Sequence, residues 1–430
     1  MNDVYDLIGI GIGPFNLGLA ALAEPIPGLC TVFLEQKKQF SWHEGLMIEG
    51  ATLQVPFYAD LVTLADPCSV YSFLNFLKAK NRMFRFACNE NYYIERREYQ
   101  QYCRWVASML GSLNFDQAVK QIQYNERDNR YEVLAESSTG EISIYYGKHL
   151  VIGIGTVPSV PACAAHVCSN SSMFHSSQYL QHKTVLMNKN KITVVGSGQS
   201  AAEIFYDLLK VKPAYQFSLD WFTHSAGFYQ METSKLVCEF TSPDYINYFY
   251  QLEPERKTEL LKQQDHLYKG INRELIEAIY RELYAQSIES SDSSVRLIPA
   301  TQLTGIEQKG ESAFQLSWLQ TQQQKCFQSE TEALILATGY QNQVPAFMDG
   351  IKDRIYWTGS GRYQVKRNYS IDVNGSEIFV QNAELLSHGF SAPDLGLGPY
   401  RNMMIINTIL GDDYFKVEKE TVFQRFTFDV

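Results

Sequence analysis

Gly9-Ile10-Gly11-Ile12-Gly13-Pro14 follows the β-type run Tyr5 to Ile8 and opens a helical run from Asn16 to Ala23. A strand, a glycine-rich turn and a helix in that order form the dinucleotide-binding fingerprint. The first glycine allows the tight turn, and the second lets the backbone approach a pyrophosphate at the helix N-terminus. The pattern returns at Gly196-Ser197-Gly198-Gln199-Ser200-Ala201, between the apolar run Ile192 to Val195 and the helical run Ser200 to Leu209. One such motif is weak evidence, whereas two in the right context predict two bound dinucleotides. Neither ends in glycine: Ala201 is an accepted variant, and Pro14 is tolerable in the first turn of a helix. The expected fold class is α/β, with two Rossmann-like dinucleotide-binding domains.

The 430 residues are enough for two or three domains. With 45% hydrophobic and 20% charged residues, the composition is that of an ordinary globular protein. A net charge of -10 argues against a nucleic-acid partner, which would require clustered cationic surface. The opening Met-Asn-Asp-Val-Tyr-Asp lacks the basic start and apolar run of a signal peptide. No stretch approaches the ~18 uninterrupted apolar residues of a membrane span. A cytoplasmic protein with no membrane partner is expected. The eight cysteines lack metal-ligand spacing and read as reduced thiols, with no metal site expected. Cys163 and Cys168 form a CxxxxC pair of the kind found in flavin disulfide reductases, but in a Pro/Ala-rich connector rather than early in a nucleotide domain.

Thr31 to Glu35 reads as the second strand of a βαβ opening. Glu35 at its end has the type and place to hold an adenosine ribose, against the plainer reading of a charge at a strand exit. Leu150-Val-Ile-Gly-Ile-Gly-Thr156 is an apolar strand ending in glycines, and Asn188 to Lys191 a polar linker. Gln216 to Thr223 supplies the second strand of the second unit. Phe240 to Ser287 then turns to helical periodicity, with Tyr245, Tyr248, Phe249 and Leu252 on one side, followed by Leu275, Ile276, Ile279 and Leu283. An inserted helical subdomain is expected there. Strands resume at Val295, Glu332 to Ala337 enters a glycine turn, Ile378 to Asn382 is a strand, and Pro399 to Leu410 a final helix.

In addition to the two glycine turns, the chain carries Phe40-Ser-Trp-His43, Leu53-Gln-Val-Pro-Phe-Tyr-Ala-Asp-Leu-Val62, Ala337-Thr-Gly-Tyr340 and His388-Gly389. In this order and nearly end to end, they resemble the flavin-dependent N-hydroxylating monooxygenases of siderophore biosynthesis, the family of lysine and ornithine N-monooxygenases. The resemblance implies FAD, NADPH and dioxygen, with a C4a-hydroperoxyflavin attacked by the nitrogen of a primary amine. The protein then supplies no covalent nucleophile; it excludes water and holds the amine neutral and close. It also implies a homo-oligomer, a dimer or tetramer. Residues 1–182 and 345–430 would bind FAD, 183–225 and 292–344 NADPH, and 226–291 the substrate. Gly9, Gly11, Gly13 and Pro14 would cradle the FAD pyrophosphate and Glu35 its ribose, with Trp42, His43 and Gln54 near the flavin. For Trp42 a core aromatic is a nearly equal alternative. Gly196, Gly198, Gln199 and Ser200 would hold the NADP pyrophosphate, and Thr338 and Gly339 would close over a nucleotide.

The chain departs from the family at three places. A lysine that pairs with the α-carboxylate of an amino-acid substrate is replaced by Ala59, and an asparagine that binds the amino-acid backbone by Cys238. Burying an unpaired carboxylate costs several kcal/mol, so the resemblance now implies an amine without one. Putrescine or cadaverine is expected, with histamine, lysine and ornithine as alternatives. Asp394, together with Glu239 or an aromatic face such as Tyr248, is expected to take the far ammonium of a diamine, although Asp394 also suits a loop turn. Third, His224 stands where an arginine usually pairs with the 2′-phosphate of NADPH, and Lys235 is the nearby substitute. An NADPH oxidase or reductase is the competing enzyme reading and would need a redox disulfide or a second acceptor. A redox-sensing binding protein would not need the inserted subdomain.

Overall fold

Val4–Ile10 forms β1 because both of its faces are covered, so a nearly continuous apolar run is stable there. Leu7 faces one core, Ile8 and Ile10 the other. The computed structural model describes residues 4–165, 171–289, 294–310 and 313–428. β1 pairs in parallel with β2 (Thr31–Glu35) and with β6 (Ile142–Ile152). β2 pairs with β3 (Leu113–Phe115), and the C-terminal half of β6 with β17 (Ile378–Val380), both in parallel. The N-terminal half of β6 runs antiparallel to β5 (Arg130–Glu136), and β5 to β4 (Ala118–Asn125). One long strand thus serves both a parallel nucleotide sheet and an antiparallel flap. On the Leu7 side pack α1 (Pro14–Ala23), α2 (Phe73–Ala79), α4 (Arg96–Ala107) and α13 (Gly398–Leu410); α3 (Met83–Asn89) lies outside them. Pro14 occupies the first turn of α1, where its missing N–H costs nothing.

The second sheet is wholly parallel, ordered β11-β10-β9-β15-β8. Its strands are β8 (Met173–His175), β9 (Lys191–Val195), β10 (Ser218–Phe222), β11 (Val295–Ile298) and β15 (Ala333–Leu336). One face carries α5 (Tyr179–Leu186), α6 (Gln199–Tyr215) and α11 (Arg273–Glu289). The other face carries the antiparallel meander β12 (Thr301–Lys309), β13 (Ala313–Gln320) and β14 (Lys325–Thr331), through a stack of Phe222 on Trp318 at 4.0 Å. The chain passes between units on two adjacent linkers, β7 (Val157–Pro158) and β16 (Tyr340–Gln341), paired antiparallel.

Two expectations shift. The second unit begins before residue 183, because β8 pairs with β15 and Tyr179 of α5 is already in its core. The helical stretch 226–291 is not one subdomain. Leu275, Ile276, Ile279 and Leu283 of α11 pack on the second sheet, completing the crossover that parallel β10 and β11 require. Tyr245 and Phe249 instead form a separate cluster with Leu261 and Phe390, joining α8 (Pro243–Gln251) and α9 (Pro254–Gln263) to the segment around α12 (Leu385–His388). Between these lie the short α7 (Lys235–Cys238) and α10 (Asp265–Tyr268). No helix among the described residues is long and apolar enough to cross a membrane.

Candidate active site

At the first glycine turn Gly11 has φ +85°, and a Cβ there would lie 2.6 Å from the Gly153 carbonyl oxygen. The turn is therefore pressed against the end of β6, and only glycine fits. Glu35 closes the same corner: its carboxylate accepts from the backbone N–H of Ile12 at 2.8 Å and of Lys37 at 3.0 Å. Asn16, buried in α1, donates to the Gly11 carbonyl at 2.8 Å and braces the turn. Gly11, Ile12, Glu35 and Lys37 border a cavity of about 1620 Å³, also lined by Gly153 to Pro158, Trp42, His43, Tyr340 and Gln381 to Ala383. That exceeds the roughly 300–1,000 Å³ of a pocket for one small ligand. A glycine turn at a helix N-terminus, an acid at the next strand end and a second glycine-containing strand end are the parts that hold an adenine dinucleotide. A smaller cavity of about 800 Å³ between Asp244, Arg367, Tyr400 and the C-terminal tail touches neither glycine turn.

His43 adopts a left-handed backbone (φ 50°) and sets its ring edge-on to Trp42 at 4.5 Å. Desolvation by the surrounding protein, with Arg96 and Lys37 nearby, pushes the imidazole down to about 4. Because the ring opens onto the cavity, water there softens that push. Either way His43 is neutral near pH 7.

At the second turn Gly196 (φ +149°) lies so close to Ala337 that a Cβ would be 2.2 Å from its carbonyl oxygen. Gly198 caps α6, opposite the carbonyl of Lys269, and Lys269 also lines the large cavity. Gln199 faces inward: it accepts from the Asn272 N–H at 2.9 Å and from Gln54 at 3.3 Å, and donates to Glu203 at 2.9 Å. Gln54 and Gln199 therefore meet across the two units. Glu203 is in turn held by both Arg96 Nη atoms, at 2.7 and 2.6 Å, so α4 of the first unit is clamped to α6 of the second. Ser200 is half-buried on α6, and His224 and Lys235 are exposed, His224 just beyond β10 and Lys235 on α7.

A third group lies beside the cavity. Ala59 is buried, and a Cβ on Gly396 would lie 3.4 Å from the Ala59 methyl and 3.0 Å from Asp394 Oδ1. Asp394 sits between Pro393 and Leu395, both of which line the cavity, and its Oδ1 accepts from the Gly396 N–H at 2.7 Å. Protein surrounds this carboxyl and burial raises its pKa, although the residue keeps some open surface. Cys238 is near enough for the Asp394 charge to act on its thiol. Ala59 and Asp394, 335 residues apart in sequence, thus converge.

A profile of the L-lysine 6-monooxygenase/L-ornithine 5-monooxygenase family matches residues 3–342. The chain belongs to this family. The putrescine N-hydroxylase of Shewanella oneidensis is 45% identical over 98% of this chain and 84% of its own length. The alcaligin biosynthesis enzyme of Bordetella pertussis is 43% identical over 99% of this chain and 92% of its own. Among solved structures, the desferrioxamine-pathway cadaverine monooxygenase of Erwinia amylovora, bound to FAD, superposes with a TM-score of 0.97 at 45% identity, covering 100% of both chains.

Within this family member, several expected site residues are engaged elsewhere. Glu239 does not face the Asp394 group: its two oxygens accept from the N–H groups of Phe423 (3.2 Å) and Gln424 (2.9 Å) in the C-terminal tail. Tyr248 packs with Tyr245 and Phe426 in the α8 cluster. The Thr338 hydroxyl donates to the Ser159 carbonyl at 2.5 Å, and Gly339 accepts from the Ser159 N–H, so both tie the two linkers together. Cys163 is half-buried with its thiol toward the Leu303 carbonyl, and Cys168 lies outside the described residues. Among the described residues no group of His, Cys, Asp or Glu could hold a metal ion. Not anticipated from sequence were the Arg96–Glu203 clamp and the cavity-lining Lys257, Tyr268 and Lys269.

Proposed function

We propose that this enzyme hydroxylates one nitrogen of putrescine or cadaverine, for hydroxamate siderophore biosynthesis. It is a flavin-dependent N-hydroxylating monooxygenase using FAD, NADPH and dioxygen. Bound FAD supplies the oxygen-activating chemistry with electrons from NADPH, and the chain's residues do the binding and positioning. Gly11, Gly13 and the N-terminus of α1 would receive the FAD pyrophosphate, with Glu35 turning from the Ile12 N–H toward the ribose. Gly196, Gly198 and Ser200 would do the same for NADPH on α6, with His224 or Lys235 at the 2′-phosphate.

The observation that carries the substrate is the buried Ala59 beside the Asp394 carboxylate. An α-carboxylate placed there meets a like charge and no lysine at position 59, and the nearby Arg401 is already ion-paired with Glu384 at 2.9 Å, whereas a second ammonium meets its partner. The names of the Shewanella and Erwinia relatives, for putrescine and cadaverine, point the same way. A steady-state comparison of putrescine, cadaverine, histamine, ornithine and lysine tests it. We expect kcat/KM for a diamine at least ~10²-fold above that for ornithine or lysine, since a missing charge partner is worth a few kcal/mol. Hydroxylamine should accumulate in step with NADPH consumed; ornithine turned over better than both diamines would refute the reading. A homo-oligomer in the cytoplasm completes it, and sedimentation of the purified protein tests the first part.

A further inference from the structure

We propose that the C-terminal segment 421–426 is a strap that fixes the α7 wall of the amine pocket, with Glu239 as its positioning residue. This rests on the pocket assigned above. α7 is only four residues long, buries none of them, and has no side-chain cap at its N-terminus. So short a helix has no stability of its own and takes its place from what holds it. Among the described residues, its long-range hydrogen bonds come from the tail. Glu239, directly after α7, accepts both the Phe423 and Gln424 N–H groups, and the Gln424 side chain donates back to Glu239 at 3.1 Å and to the Leu236 carbonyl at 2.5 Å.

The strap is fastened on either side of that grip. Upstream, the Thr421 N–H donates to Asp244 of α8 at 2.8 Å, and its hydroxyl bonds the same carboxylate. Downstream, the Phe426 ring packs on Phe240 and Tyr245 at 5.3 and 5.1 Å. α7 ends in Cys238, the position at which the family resemblance expects a substrate contact, so its placement bears on the amine pocket. Both FAD-side parts, the Gly11 turn and Glu35, lie outside these contacts. Segment 421–426 thus helps to finish a pocket begun by Ala59.

The test compares the full chain with a form ending at Glu420, and with Glu239→Ala and Glu239→Gln. With putrescine and cadaverine, truncation and Glu239→Ala should raise the amine KM roughly tenfold or more and lower hydroxylamine formed per NADPH, because small misplacements of a substrate wall are costly. Flavin content and the rate of flavin reduction without amine should stay within about twofold. Glu239→Gln, which keeps one acceptor, should fall between. Alkylation of Cys238, read by peptide mass against Cys30 and Cys326, should quicken at least about threefold as α7 loosens. Unchanged KM together with unchanged Cys238 alkylation in Glu239→Ala overturns the strap. Failure of the full chain to use either diamine instead overturns the pocket reading, and the Cys238 rate still decides whether the tail holds α7. If the truncated form loses its flavin, Glu239→Ala gives the same decision.

Discussion

Replacing Arg96 by alanine is expected to cost the fold about 3–5 kcal/mol, because it strands the Glu203 carboxylate in the interior. The two side chains are 11% and 4% exposed, with the guanidinium bidentate on the carboxylate and also donating to the Leu46 carbonyl. Burial already raises the Glu203 pKa, and Arg96 and Gln199 pull it back. Without Arg96 it should rise further. A carboxyl whose folded pKa lies above its unfolded value contributes fully below the unfolded value and loses that contribution as pH rises through the folded one. The deficit of Arg96→Ala should therefore be smallest near pH 5 and grow toward pH 8, measured as the difference in Tm from the parent. A deficit flat with pH would mean Glu203 is not the stranded group. Replacing both residues by apolar ones of similar size should recover most of the loss. Since α4 and α6 belong to different units, the single variant should also weaken the hold of one nucleotide unit on the other.

What the sequence revealed and what it hid follow from the range of the interactions. The two glycine turns were legible because their constraints are local: a positive φ at Gly11, a proline in the first turn of α1, an acid at the end of β2. Ala59 was legible only as a departure from a resemblance and Asp394 only as an expectation that followed from it, and their proximity needed the fold. β8 was hidden, since a three-residue buried strand carries no period and takes its identity from pairing with β15. The apolar face of α11 was visible, but not that it covers the second sheet, because the crossover rule needs β10 and β11 known as parallel neighbours. Glu239 was misplaced because its partners lie 185 residues away in an aromatic-spotted tail without a motif. Arg96 sits on a strongly amphipathic helix like any other arginine there, and only Glu203, 107 residues on, gives it a role.

Replacing Asp394 by asparagine should separate the two functions that its position allows. As a turn residue, Asp394 needs only an oxygen for the Gly396 N–H at 2.7 Å, and asparagine supplies one. As the partner of a buried ammonium it needs charge, which asparagine lacks. Truncating one member of a buried charge pair costs about 2–5 kcal/mol, so kcat/KM for putrescine or cadaverine should fall by at least roughly 30-fold. For a monoamine of the same length, butylamine or pentylamine, no far ammonium exists and the change should stay within about threefold. The fall should appear mainly in KM, because the far ammonium is bound equally in the ground and transition states. Asp394→Ala removes the turn acceptor as well and should add a loss common to diamine and monoamine alike. Equal losses for both amine classes in the asparagine variant would reduce Asp394 to its turn. The selectivity for a carboxylate-free substrate would then rest on the missing cation at Ala59 alone, which excludes amino acids without choosing among amines.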